Sequence, residues 1–477
     1  MRRIVSGFGK PNRGTRAWAV FALWATTSIA LPAQTFTTVH SFAGTDGANP
    51  YGGLLQSANG NGYGTTENGG ANGSGTVFKI TPGGTLSTLH NFCSQSGCTD
   101  GAYPLDGLVQ APNGYFYGTT VEGGVNGLGT VFQVTPSALT TLHSFDGTDG
   151  ETPWAGLAAG TDGNFYGTTV NGGANNGGTV FKITPSGTLT TLYTICAQAL
   201  STDGQHPEAG LLLAANGDFC GTTSAGGANN GGTVFQITTS GMLTTLYSFC
   251  AQTGCTDGKL SSAVLIQAAN GDYYGTTASG GANGGGTVFQ ITTGGALTTV
   301  YSFCSQSGCA DGASPEAALI QANDGNFYGT TTAGGANGGG TIFEITASGT
   351  LTTLHSFAGM NAVHQAGLIE GTNGDFYGAT WDGGTDDEGT LYLLSTGLAP
   401  FVKLQPPSGQ VGTAIRILGT ALTGTTSVSF NGTAAVFVVA SVSEITTTVP
   451  VGATSGEVQV TTPSGKLSSN TAFRVLP

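Results

Sequence analysis

The residues with chemistry to offer fall in one slot of a recurring loop, where the side chain varies although its surroundings repeat. Along the chain that slot reads Tyr51, Leu105, Trp154, Glu208, Ser262, Glu316 and Gln365. Aromatic faces beside carboxylates are what a sugar-binding surface uses, with rings stacking on the ligand and polar groups fixing its hydroxyls. Glu208 and Glu316 could also act as a carboxylate pair on a glycosidic bond, which needs carboxyls roughly 5–9.5 Å apart. The plain alternative is variation at an exposed loop position. A second irregular patch, Asp382, Asp386, Asp387 and Glu388, suits a cation such as Ca2+, though calcium wants roughly 6–8 oxygens gathered together. Otherwise it is a solvated charge run. No other cofactor is indicated.

These residues are carried by repeats. The tetrapeptide G-T-[VIL]-[FY] begins at Gly75, Gly129, Gly178, Gly232, Gly286, Gly340 and Gly389, at intervals of 54, 49, 54, 54, 54 and 49 residues. Units of that length imply a propeller or an array. Each reads as four short strands, in the second unit Gly107–Ala111, Tyr115–Thr120, Gly129–Thr135 and Leu139–Phe145. Between the first two strands lies an Asn-Gly or Asp-Gly pair, as at Asn113-Gly114, which suits a two-residue hairpin turn with positive φ at both positions. The third strand, as in Thr76-Val77-Phe78-Lys79-Ile80, is apolar on both faces and expects cover from both sides. No amphipathic helix pattern accompanies the repeats.

The ends of the repeat region complement each other. The last unit stops after three strands, and the missing fourth stands at the start as Phe36-Thr37-Thr38-Val39-His40-Ser41-Phe42, matching Leu351-Thr352-Thr353-Leu354-His355-Ser356-Phe357. Pairing the two ends would remove exposed sheet edges. The predicted fold is therefore all-β: a seven-bladed β-propeller closed by the N-terminal strand, with an open solenoid as the alternative.

Histidine gives no catalytic lead. His40, His90, His143 and His355 share a fourth-strand slot with Tyr193, Tyr247 and Tyr301, which reads as aromatic packing, and His206 and His364 stand alone. Asp46, Asp100, Asp149, Asp203, Asp257 and Asp311 precede the first strands. They read as turn residues whose carboxylates bond nearby backbone amides, rather than as cation ligands.

Arg2, Arg3, Lys10, Arg13 and Arg16 lead into an uncharged apolar run from Ala17 to Leu31, the pattern of a signal peptide over 1–33 cut near Ala33, with an uncleaved membrane anchor as the alternative. Removal of the signal peptide leaves 7 Lys+Arg against 26 Asp+Glu, a formal charge of −19. That disfavours nucleic acid and anionic membranes as partners. No later stretch is apolar enough to span a bilayer. Cys93/Cys98, Cys250/Cys255 and Cys304/Cys309 share C-x4-C spacing in equivalent loops, which predicts three local disulfides in an oxidising compartment. Spacing does not decide whether Cys196 and Cys220 pair.

Two resemblances follow from these motifs. The pattern D/N-G-x-F-Y-G-T-T, then G-G-A-N-x-G-G-T-V-F-x-I-T, resembles the GloVer (Gloeo/Verruco-type) tandem-repeat family of bacterial surface and secreted proteins, with a weaker likeness to kelch blades. Residues 397–477 lack the repeat. Through Pro407-Ser408-Gly409, Gly412, Val428-x-Phe430-Asn431-Gly432, Val449-Pro450 and Gly456-x-Val458 they resemble an IPT/TIG immunoglobulin-like β-sandwich, with strands expected at Ala414–Leu418, Ser427–Phe430, Ile445–Val449 and Glu457–Thr461. The expectation is a secreted or cell-surface monomer, with 34–396 a propeller platform that binds an extracellular glycan or surface protein. A polysaccharide-active hydrolase or lyase and a purely structural surface-layer protein are the alternatives.

Overall fold

The computed structural model describes residues 34–135, 138–358 and 366–476. The leader expected over 1–33 lies outside them, as do His364 and Gln365. Among the described residues the repeats form seven four-stranded antiparallel sheets. Sheet two runs Val109–Gln110, Phe116–Thr120, Thr130–Val134 and Leu139–Ser144. Sheets one, three, four, five and six repeat that order over residues 55–91, 158–194, 212–248, 266–302 and 320–358. Sheet seven contains Ile369–Glu370, Phe376–Thr380 and Thr390–Ser395, and its fourth strand is Thr35–Ser41. Phe36 stands opposite Leu394 and Ser41 opposite Thr390 in that pairing.

Two local expectations are corrected. The first strand of each sheet is only two residues long; just ahead of it the backbone bonds sideways to the neighbouring sheet, as where the carbonyls of Asp106, Ala155 and Ala209 accept the hydroxyls of Thr65, Thr119 and Thr168. The Asn-Gly pairs do not form two-residue turns. Gly114 has φ +85°, whereas Asn113 is not among the residues with positive φ. The Gly114 N–H bonds the Ala111 carbonyl and Asn113 Oδ1 accepts the Tyr115 N–H. This is a three-residue loop ending in a left-handed glycine; the asparagine side chain serves as the cap, so its backbone need not leave the right-handed region.

The third strands are covered on both faces, as their composition demands. Val77 and Phe78 are buried, and each apolar cluster of the repeats draws on two successive sheets. Tyr63 and Val77 of sheet one meet Leu108, Phe116 and Phe132 of sheet two. Leu54 and Phe78 of sheet one likewise meet Ala366, Ala379 and Leu391 of sheet seven. Polar staples follow the same geography. Gln267 and Gln321 each accept a backbone N–H from the preceding sheet's hairpin, at Ala215 and Ala269, 2.8 and 2.9 Å away. Gln56 does the same to Thr372 of sheet seven.

The His/Tyr slot does more than pack. His40, His90 and His143 reach the carboxylates of Asp46, Asp100 and Asp149, while Tyr193, Tyr247 and Tyr301 donate to Asp203, Asp257 and Asp311. Imidazole and phenol are interchangeable there because each offers a hydrogen-bonding edge at similar reach beside a phenylalanine. The turn reading of the aspartates holds: Asp100, wholly buried, also accepts the Ser94 and Gln95 N–H groups.

Cys93–Cys98, Cys250–Cys255 and Cys304–Cys309 are disulfide pairs with Cα atoms 4.0–4.1 Å apart. Cys196 and Cys220 are free thiols. Cys196 occupies the slot of Cys93, but Ser201 stands where its partner would be.

Besides a short parallel pair, Ser408–Gly409 with Arg474–Val475, the C-terminal residues form two four-stranded sheets. One orders Lys403–Gln405, Ala414–Leu418, Glu444–Thr448 and Phe437–Val439; the other orders Thr433–Ala434, Ser427–Phe430, Val458–Thr462 and Gly465–Ser468. Ile415, Ile417, Val428, Phe430, Val458 and Val460 fill the space between them. This module touches the hairpin side of the repeats: the Ser443 hydroxyl donates to the Ala58 carbonyl at 2.8 Å, and the Phe401 N–H to the Thr372 carbonyl at 3.0 Å. Among the described residues no helix is long and apolar enough to cross a membrane.

Candidate functional site

The variable slot lies on the opposite side, where the loop entering each first strand meets the loop between second and third strands. Backbone pairs such as Ala48 with Asn68, Glu151 with Asn171 and Gln205 with Ala225 hold those two loops together. The pairing is possible because glycine follows the second strand: a Cβ on Gly69, at φ +75°, would lie 2.6 Å from the Ala48 nitrogen. The loops are therefore rigid supports for the side chains they present.

Tyr51 and Trp154 keep 40% and 39% of their surface exposed. Four carboxylates stand near Tyr51. Its phenol is pushed up to about 12, first by burial of the hydroxyl and then by the charges of Glu316, Asp106, Glu208 and Glu67. Glu208 accepts the Ser224 hydroxyl at 2.8 Å. Burial raises its pKa, and the neighbouring charge of Glu316 adds to that rise. Tyr51, Glu208 and Glu316 are thus brought within electrostatic reach of one another. Leu105 and Ser262 occupy the same slot and add no charge.

Asp106 is the functional candidate that sequence reading missed. Equivalent positions hold Gly52, Ala155, Ala209, Ala263, Ala317 and Ala366, so a carboxylate here breaks a small-residue series. Burial raises its pKa, and the N–H groups of Gly156 and Gly107 oppose that rise. Glu67 adds a second acid and accepts the Trp381 indole N–H at 2.8 Å.

The acidic loop of the last unit opens beside this mouth. Asn49 donates its backbone N–H to the Glu388 carbonyl and its side-chain amide to the Trp381 carbonyl. Asp387 caps its own loop by accepting the Gly383 N–H at 3.0 Å. Among the described residues no three His, Cys, Asp or Glu side chains converge to hold a metal ion, and Asp382, Asp386, Asp387 and Glu388 are no exception.

Comparison with known proteins bears on the scaffold. The Gloeobacter/Verrucomicrobia repeat matches residues 25–211 and 193–392, most of the chain. The chain belongs to this family. The Gloeobacter/Verrucomicrobia repeats are followed by an IPT/TIG domain over 401–475. No curated protein matches the sequence. Among solved structures, a fungal alcohol oxidase of the AA5 family in complex with copper is similar at 12% identity and TM-score 0.52, covering 93% of this chain and 99% of its own. That is a likeness of fold alone. A putative 6-phosphogluconolactonase from Bacteroides uniformis shares 16% identity at TM-score 0.43, over 66% of this chain and 87% of its own.

Proposed function

We propose that residues 34–396 form a closed seven-bladed propeller, that 397–477 are its appended sandwich, and that the mouth at Tyr51 binds extracellular glycan. Closure is supported by the Thr35–Ser41 strand completing sheet seven and by Gln56 bonding Thr372 as Gln321 bonds Ala269. Export through a signal peptide at 1–33 accords with the three local disulfides.

The observation that carries the binding reading is the half-open ring of Tyr51 within electrostatic reach of Asp106, Glu208 and Glu316, with the half-open ring of Trp154 in the same slot of the third unit. Sugars present apolar ring faces to Tyr and Trp, and hydroxyl donors to carboxylates. A polyanion would meet repulsion from the same acids and from the net negative chain. A glycan array probed with residues 34–477, then repeated with Trp154→Ala, tests the reading. Binding to a restricted set of glycans, weakened in the variant, is expected; an array with no signal would overturn it.

A hydrolytic reading has one observation in its favour. Glu208 holds its proton more firmly than an ordinary carboxyl, which suits a general acid beside a second carboxylate at Glu316. Release of reducing ends from a bound glycan, abolished in Glu208→Gln, would establish it. Binding without turnover leaves the platform reading.

A further inference from the structure

The contact between sheets seven and one lacks a side chain that the other contacts possess. Tyr63 lies against Phe116 of the next sheet, Tyr117 against Phe165, Tyr166 against Phe219, Tyr274 against Phe327 and Tyr328 against Phe376, with ring centroids 4.1–4.4 Å apart. Between sheets four and five the pair is Cys220 and Tyr273. The next pair in the series would join Tyr377 to position 62, and position 62 is glycine, because the first unit reads Asn59-Gly60-Asn61-Gly62-Tyr63.

At the place of the missing ring lies a partly open cavity of about 260 Å³. Gly62, Ile80, Leu54, Ile369 and Tyr377 wall it, and Thr420 and Ser443 of the C-terminal module lie over it. Tyr63, Tyr117, Tyr166, Tyr274 and Tyr328 are all buried, whereas Tyr377 is only partly so. The unfilled place therefore has its stacking partner already in position.

We propose that this cavity is a binding site for a small uncharged phenolic ring. The lining carries no formal charge and is mainly apolar, so it admits a neutral ring and not an anion or an ammonium. An apolar cavity of roughly 150 Å³ suffices to bind benzene in another protein, so this one has room for a substituted ring. Planarity is selected because the space between Tyr377 and the sheet-one backbone at Gly62 is what a phenylalanine ring occupies in sheets two, three, four, six and seven. A hydroxyl finds partners at the module: Thr420 shares a hydrogen bond with Thr372 at 3.0 Å, Ser443 donates to Ala58, and both hydroxyl oxygens retain acceptor capacity. The site lies on the hairpin side, away from the Tyr51 mouth, and does not rest on the glycan reading.

The full chain titrated calorimetrically with phenol, and separately with cyclohexanol, tests the proposal. Phenol should bind saturably with a Kd on the order of a millimolar or tighter. Cyclohexanol, of similar size but not planar, should bind at least about tenfold more weakly. Gly62→Phe should abolish phenol binding while melting no lower than the parent. Its Cβ would lie 3.0 Å from the Ile80 Cγ2, the end of a side chain, and Phe165 already stands opposite Ile183 in the same register. Tyr377→Leu, which keeps an apolar wall without a ring face, should weaken phenol at least about fivefold and serves if Gly62→Phe misfolds. Absence of saturable phenol binding by the parent, equal affinity for phenol and cyclohexanol, or phenol affinity unchanged in the variants would overturn it.

Discussion

The side-chain oxygen of Gln56 accepts the backbone N–H of Thr372 at 3.1 Å, joining residues 316 positions apart. Thr372 is buried, so its N–H is largely cut off from bulk water if that oxygen is lost. Gln56→Ala should therefore cost about 1–3 kcal/mol, the usual result of orphaning a buried donor. Urea unfolding of the variant beside Gln267→Ala, which breaks an equivalent staple elsewhere, measures it. A midpoint unchanged in Gln56→Ala alone would mean that sheets one and seven do not hold each other.

Glu370 occupies the staple position of sheet seven, where sheets one, two, five and six have glutamine. Its Oε1 reaches the Asn323 N–H at only 3.4 Å and its Oε2 is buried with no partner among the described residues. Burial raises its pKa from 4.5 to about 7, opposed by the Asn323 N–H and the Lys403 charge. A folded pKa above the unfolded one means its contribution to stability is complete below pH 4.5 and lost as pH rises through about 7. Glu370→Gln removes that loss and restores the staple of the other sheets. Its melting temperature should exceed the parent's by a few degrees at pH 8 and differ little at pH 4.5. A melting temperature below the parent's at pH 8, measured by calorimetry, would show that attraction to the Lys403 charge outweighs burial.

At the mouth, truncating a packed aromatic anchor typically costs more than about 1–2 kcal/mol of binding. Trp154→Ala should weaken any glycan found on the array at least about tenfold. Asn270→Ala, on the hairpin side, should leave affinity unchanged. Equal affinity of both variants and the parent would move the site, with the sandwich module the next place to look.

Each disulfide closes a loop of sequence separation 5, so each should stabilise by about 2 kcal/mol at most. The loops are held independently by Asp100, Asp257 and Asp311, which tie their backbone amides together. Reductant should leave the sheet signal in circular dichroism intact at 25 °C while exposing six further thiols to alkylation. Without reductant, Cys196 should react and buried Cys220 should not. Recovery of alkylated Cys93 or Cys250 under those conditions would contradict the pairing.

Repetition made most of the scaffold legible. Periodic Gly-Thr-Val-Phe and the doubly apolar third strand fixed the sheets to within a residue or two, because their neighbours are other copies of themselves. Turn geometry was misread at Asn113 because an asparagine side chain can cap from the right-handed region as readily as its backbone can turn left. The role shared by His90 and Tyr247 was invisible because their partners, Asp100 and Asp257, lie ten residues on, across a loop whose path the sequence does not state. Asp106 and Gly62 were missed for another reason. Each is ordinary by itself and becomes informative only when set against the same position in the other sheets.

The strand Thr35–Ser41 is made early and employed late. About 350 residues must follow it before its partner, Thr390–Ser395, exists. At roughly 5–20 residues per second of synthesis, that interval is on the order of 20–70 s. Throughout it, a segment able to complete a sheet has no sheet to complete, and it resembles the fourth strand of every unit emerging behind it. The correct pairing must therefore be selected against six near-copies, each already served by its own continuous hairpin. Local connection, made in roughly microseconds, keeps those places occupied until the one vacancy arrives.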